Sequence, residues 1–348
     1  MPSDQDAKKT LLVYIHGLND YDRDRNLELL TSGLQAFMAD HNMGFEANGD
    51  TSDDSGRPTR FVKAKTGEVL DIDMVFWGDM RRRFSAKSSL DKLKSGASLF
   101  LFWLVSPLWG QMLRTTQSRL LAGIVFTLVV FGLWYFSTLV TVAAAPDQLP
   151  DFLQQPARDF AAAVQSAWIW VVALVVLQII PANQMLDIVY SVQCYLREPE
   201  MRMRVRGRLS NRLARADSSG AYDQIVVVAH SFGTVVAIEV LDNFHFQTPA
   251  RVVTLGSPVE VVAARHGPLR QSIEAAARNA TLVRWDDVIS DQDWLCTPVP
   301  APADAAHFKS RPLVEKVDFS ARLSGASHEM YFYSDDVFRL ILGTLESA

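Results

Sequence analysis

The sequence predicts an α/β fold: a doubly wound, mostly parallel sheet divided by an inserted hydrophobic helical hairpin. Three observations carry that expectation. Short β-branched runs stand at both ends of the chain, helical periodicity lies between several of them, and one long apolar block separates the two sets.

The strand runs are TLLVYIHG from Thr10 to Gly17, DIDMVFWGD from Asp71 to Asp79, QIVVVAHS from Gln224 to Ser231, RVVTLGSP from Arg251 to Pro258, and TLVRW from Thr281 to Trp285. Each is nearly continuous in apolar residues and bounded by Gly, Pro, Asp or Ser, the pattern of strands buried on both faces. Helical patterns over Asn26 to Asp40, Met201 to Ala216 and Thr234 to Phe244 supply crossovers between parallel strands. The polar, breaker-rich stretch from Ala47 to Pro58 reads as a mobile surface insertion.

The apolar block lies between Ala97 and Met185. Leu120 to Ala145 carries no charge, and about 25 such residues are enough for a helix to cross a hydrocarbon core of about 30 Å. Ala163 to Leu186 is a second uncharged run, with Trp168 and Trp170 where interfacial aromatics belong. Ala97 to Leu113, broken by Pro107 and Gly110, reads as interfacial or re-entrant. The expected divisions are therefore 1–96, the membrane hairpin 97–186, and 187–348. Basic residues crowd both outer flanks (Arg81, Arg82, Arg83 before; Arg197 and the run Arg202 to Arg215 after), whereas the loop between the spans has only Arg158. Both flanks are thereby expected on the cytoplasmic side of a multi-pass protein. If strands on either side of the block share a sheet, the number of crossings must be even, which two spans satisfy. The Arg202 to Arg215 run reads as a solvated helix face that touches anionic headgroups.

A net charge of −5 with 49% hydrophobic residues argues against both a disordered chain and a nucleic-acid partner. The N-terminus lacks the pattern of a secretory signal. Cys194 and Cys296 have no companion at metal-ligand spacing and read as ordinary buried thiols of a reducing compartment. No metal and no cofactor is expected.

The most informative text is IVVVAHSFGTVVA, from Ile225 to Ala237. A strand runs into Ala229-His230-Ser231-Phe232-Gly233 and a helix starts at once. Small residues two positions either side of Ser231 suit a strained strand-to-helix turn that stands the hydroxyl clear. The backbone N–H of Phe232 is then placed to meet negative charge on a substrate carbonyl.

At these residues the chain resembles the α/β-hydrolase superfamily, specifically lipase- and esterase-like serine hydrolases that carry His-Gly after an early strand. Here that element is Tyr14-Ile15-His16-Gly17-Leu18-Asn19, with Ala229 in place of the usual first glycine of the elbow. The resemblance covers about Thr10 to Asp79 and Leu186 to Ala348; the apolar insert departs from ordinary soluble members. It implies Ser231 as nucleophile, the N–H groups of Leu18 and Phe232 as the oxyanion hole, and the chain order nucleophile, acid, base. Of the histidines that follow late enough, His307 and His328, the latter precedes an amphipathic terminal helix near Asp335, where the superfamily's base falls. For the acid, Asp286, Asp287, Asp291 and Asp293 are available after TLVRW; the resemblance to related hydrolases, which show Arg-Trp, then Asp and two hydrophobic residues, then Pro-Val, implies Asp293, with Asp287 next and Asp291 behind. The others are expected in caps or loops. His16 is expected to shape its loop, Leu255-Gly256-Ser257-Pro258 to form a structural turn under the site, and Asp79 to cap a loop.

The expected activity is ester hydrolysis through an acyl-enzyme, on lipid or acyl-chain substrates given the apolar block. An inactive hydrolase-fold membrane scaffold is the alternative, and a soluble enzyme with the block as its lid a third. Protein partners are not specified by any of these residues.

Overall fold

The computed structural model describes residues 7–48, 58–87, 89–104, 132, 151–165, 182–318, 322 and 325–344. The β-branched runs form the strands β1 (Lys9–Ile15), β4 (Val69–Val75), β5 (Gln224–His230), β6 (Ala250–Leu255) and β7 (Leu282–Ser290). Shorter strands extend the edges: β2 (Phe45–Ala47), β3 (Thr59–Lys63) and β8 (Phe308–Leu313). Together they make one eight-stranded sheet in the order β2-β3-β4-β1-β5-β6-β7-β8. All pairings from β4 to β8 are parallel, and β2 and β3 join antiparallel at one edge. This is a mixed α/β fold.

β1 pairs with β4 on one side and with β5 on the other, so the winding direction reverses at β1. In open parallel sheets the crevice beyond the carboxyl ends of strands at such a reversal is where ligands bind. The text following β1 begins with His16 and the text following β5 begins with Ser231.

Helices cover both faces. Leu12 and Tyr14 of β1, Val226 and Val228 of β5 and Val253 of β6 pack into one core with α1 (Arg23–Asp40) and the terminal helix. The alternating set, Leu11, Val13, Ile225 and Val227, is buried as well. Double burial explains why these strands read as unbroken apolar runs. In chain order the remaining helices are α2 (Ser89–Leu104), α3 (Asp151–Gln165), α4 (Ala182–Arg197), α5 (Pro199–Ser218), α6 (Gly233–Leu241), α7 (Val259–Arg265), α8 (Pro268–Ala277) and α9 (Asp335–Leu342).

The chain divides into two units. One comprises 1–80 and 200–348 and contains the whole sheet; the other is 81–199. Within the second, Leu99 of α2 and Leu186 of α4 pack with Phe84, and Asp187 accepts from both the backbone and the hydroxyl of Ser85. Arg197 lies 5.0 Å over the Phe102 ring and Lys87 4.5 Å over Tyr190. Most of both expected spans, Leu120 to Ala145 and Ala163 to Leu186, lies outside the described residues, as does the end of Ala97 to Leu113 from 105 onward and the 49–57 part of the polar insertion. No helix among the described residues is long and apolar enough to cross a membrane.

Several expectations are corrected. The part of the expected inter-span loop from 151 to 161 is helical, within α3 (Asp151–Gln165), which runs on into the first residues of the second expected span. The strand expected to end at Trp285 continues through Asp286 and Asp287 to Ser290. Those two aspartates are 0% exposed, so neither belongs to a loop or a cap. Arg284 and Arg311 hold Asp286 at 2.5 and 3.1 Å, while Asp287 accepts from Thr254 Oγ1 and the Val299 N–H. Internal partners make a buried carboxylate tolerable where sequence suggests a breaker. The Arg202 to Arg215 face is also not simply solvated: Arg202 reaches buried Glu239, Arg208 forks onto Asp79, and Arg212 pairs with buried Asp73. Asp79 is thus an ion-pair partner in a short turn after β4.

Candidate active site

β5 ends at His230, and the chain then turns through Ser231 directly into α6. Ser231 has φ +54°, one of two non-glycine residues with positive φ among those described. A left-handed conformation costs an L-residue about 1–2 kcal/mol, so surrounding structure must impose it. Two backbone bonds do so: the Ser231 N–H donates to Leu255 O at 2.8 Å, and the Thr234 N–H donates to Ser231 O at 3.0 Å. The neighbouring chain is pressed close. A Cβ on Gly17 would lie 2.5 Å from Ser231 Cβ, so the backbone that continues into Leu18 runs beside the serine. Phe232 follows Ser231 and forms the N-cap position of α6, whose positive dipole end lies at this turn.

Gly233 meets the β1 loop in the same way. A Cβ there would stand 2.5 Å from Ile15 O and 2.8 Å from His16 O, both backbone atoms that cannot swing aside. Gly233→Ala is expected to lower stability by about 2–3 kcal/mol, as overpacking against rigid neighbours does. The midpoint of guanidinium unfolding, followed by Trp fluorescence, measures it.

His16 shapes the loop after β1, as expected. Its ring is fully buried; Nδ1–H donates to Gly17 O at 2.7 Å and Nε2 accepts the Trp77 N–H at 3.2 Å, a pattern that requires the neutral ring. Trp77 Nε1 donates back to His16 O at 3.0 Å, tying the loops after β1 and β4 together.

His328 lies on a 3-10 helix, Ala326–Tyr333, and its Nδ1 is 2.7 Å from Asp293 Oδ2. Burial opposes a charge on this imidazole, but the charge and hydrogen bond of Asp293 outweigh it, and the net effect raises the His328 pKa above the usual histidine value. His328 Nε2 is buried with no hydrogen-bond partner, so no bond joins it to Ser231 in this state. Bonds of that kind in ligand-free sites are often long or unformed and tighten with substrate.

Asp293 is 3% exposed and is the member of the aspartate set that reaches His328. Asp287 turns to Thr254 and Val299 instead, and burial pushes its carboxyl up to about 6. Asp291 is exposed and accepts from Gln292. The His307 backbone carbonyl accepts the Trp285 N–H ahead of β8, and the residue takes no part in the cluster around Asp293. The Leu255-Gly256-Ser257-Pro258 turn lies against Asp293 and Tyr331, consistent with a supporting position.

Two residues of the site escaped the sequence reading. His230 is 3% exposed, and its Nε2–H donates to the His328 backbone carbonyl at 2.9 Å, linking the serine turn to the 3-10 helix. Tyr331 donates to Asp293 at 3.0 Å. Its signal was the three-residue spacing from His328, which eclipses the two side chains on a 3-10 helix.

Burial, then the neighbouring His328, holds the His230 pKa well below the histidine norm. The folded state therefore refuses a proton that the unfolded chain accepts near pH 6.5, and stability falls as pH drops through that value. Between pH 6.5 and 5.5 wild type is expected to lose about 1 kcal/mol more than His230→Asn, which keeps a donor but does not titrate. Guanidinium unfolding at the two pH values reads the difference.

The fold defines the chain as a mixed α/β protein with an eight-stranded, mostly parallel sheet. No family model, no curated protein and no solved structure matches it.

Proposed function

We propose that the chain is a membrane-anchored serine hydrolase of the α/β-hydrolase type that cleaves carboxylic esters of lipid or acyl-chain substrates. The observation that carries this reading is the 2.7 Å pair of His328 Nδ1 and Asp293 Oδ2, linked through His230 to a serine held at φ +54° beyond the end of a central parallel strand.

The chemistry follows from those positions. Ser231 Oγ attacks the ester carbonyl as His328 Nε2 takes its proton, and Asp293 keeps the other ring nitrogen protonated and stabilises the imidazolium. The N–H groups of Leu18 and Phe232 receive the oxyanion. His328 then protonates the leaving alkoxide, and a water activated by the same nitrogen hydrolyses the acyl-enzyme. The uncharged runs from Leu120 and from Ala163, with basic flanks outside them, support a membrane hairpin with the sheet on the cytoplasmic side.

An alkyl fluorophosphonate reporter on membranes expressing the full chain tests the reading. Labelling of wild type that disappears in Ser231→Ala supports it. Absence of labelling in folded wild type would decide for the second reading, an inactive scaffold. Carbonate extraction separates the hairpin from a soluble lid, since a lid leaves the protein in the supernatant.

A further inference from the structure

Asp293 Oδ2 receives two donors. His328 Nδ1 is 2.7 Å away and the Tyr331 hydroxyl donates to the same oxygen from 3.0 Å, while Oδ1 accepts the Leu295 N–H at 3.0 Å. Imidazole and phenol converge on one atom because residues three apart eclipse on a 3-10 helix. The third wall is Gly256, at φ +57°: a Cβ there would lie 2.6 Å from the Tyr331 ring and 3.0 Å from Asp293 Oδ2. Tyr331 is 0% exposed. Burial, then the charge of Asp293, keeps its hydroxyl protonated far beyond the ordinary tyrosine range, so it remains a donor.

We propose that Tyr331 is a positioning residue: by donating to the oxygen that faces His328, it holds the Asp293 carboxylate in one orientation and moderates its attraction for the His328 imidazolium. The proposal rests on the hydrolase reading of Ser231, His328 and Asp293. A carboxylate that has lost a donor concentrates charge on the remaining oxygen contact and pulls harder on a neighbouring cation, the more so when buried. A base held too firmly in its charged form is a poor proton acceptor near neutrality. Tyr331 works against that outcome.

Other titratable groups also face His328. His230, at the end of β5, has its ring centroid 4.8 Å away and stays neutral. Cys296, on the loop that carries Asp293, interacts with the Tyr331 hydroxyl, and burial holds it as the thiol. Glu329, on the same 3-10 helix, accepts the Tyr21 hydroxyl at 2.8 Å. Asp293 and Glu329 are thus the anions that act on the imidazole, and Tyr331 touches the nearer of them.

The test is a carbon-13 NMR titration of histidine Cε1 in the detergent-solubilised full chain, with His328 assigned by His328→Gln, beside the pH dependence of fluorophosphonate labelling. Tyr331→Phe is expected to raise the His328 pKa by about 0.5 and to carry the acid limb of the labelling rate upward with it. Tyr331→3-fluorotyrosine, a stronger donor, is expected to move both the other way, and it decides the matter alone if the Phe variant does not fold. An unchanged His328 titration in these variants overturns the proposal, since a packing role would shift the unfolding midpoint only. Wild type that titrates normally but never reacts with the probe overturns the hydrolase reading, and with it any catalytic use of Tyr331.

Discussion

On the proposed hydrolase reading, Ser231→Ala is expected to lower kcat for a short p-nitrophenyl ester by roughly 10⁴-fold or more, because removing a nucleophile that acts as a unit with its base leaves only binding and oxyanion stabilisation. The fold should survive the change. The turn is supported by backbone bonds, from the Ser231 N–H to Leu255 O and from the Thr234 N–H to Ser231 O. Alanine still has to occupy φ +54°, so its stability should stay near that of wild type. Ser231→Gly separates the two properties. Glycine takes a left-handed φ without strain, which relieves about 1–2 kcal/mol, and returns part of that gain through a more flexible unfolded chain. The glycine variant is therefore expected to be inactive yet more stable than the alanine variant by about 0.5 kcal/mol. Ester turnover and guanidinium unfolding, measured on both variants, check this. Equal activity of Ser231→Ala and wild type would remove the nucleophile from the scheme. A glycine variant less stable than the alanine one would mean that the positive φ is not a source of strain.

Asp293→Asn carries the second large effect. Its Oδ2 accepts from His328 Nδ1 at 2.7 Å and from the Tyr331 hydroxyl at 3.0 Å. An amide at this position can present an N–H to His328 Nδ1 and so favour the tautomer whose Nε2 carries the proton and cannot take one from Ser231. The expected loss in kcat is on the order of 10⁴-fold, with little change in KM. Asp287→Asn is the control, because it was the next candidate on sequence grounds and is equally buried. Its oxygens serve Thr254 and Val299 instead. Activity should remain within a few-fold of wild type, and the cost should appear as about 1–2 kcal/mol of stability from a mismatched buried acceptor. The reverse pattern, with Asp287→Asn inactive and Asp293→Asn active, would show that the acid had been misassigned.

Much of the fold could be read along the chain because the central strands are buried on both faces. That burial writes continuous β-branched runs such as LLVYI and IVVVA, which stand out against any background. The edges were hidden for the converse reason. β2 is three residues with two exposed, and β8, FKSRPL, is half polar and carries a proline, the composition of strands that must not recruit a further partner. The extent of β7 was missed because two aspartates look like a strand end until Arg284, Arg311 and Thr254 are seen to meet them.

By itself the sequence determined the parallel α/β class, the serine at a strand-to-helix turn with small residues on either side, and the order of candidate groups after it. These are local properties: backbone sterics at Ser231 and side-chain periodicity act over a few residues. Only the tertiary structure decided which aspartate faces His328, that His230 anchors the helix carrying it, and that Tyr331 shares its carboxylate. Asp293 and His328 stand 35 residues apart with β8 between them, and they meet at 2.7 Å where the Gly256 turn after β6 packs against Asp293 and Tyr331. Hydrogen-bond partners far apart in the chain depend on the sum of many such contacts, so no short stretch of residues can encode the choice between one carboxylate and another.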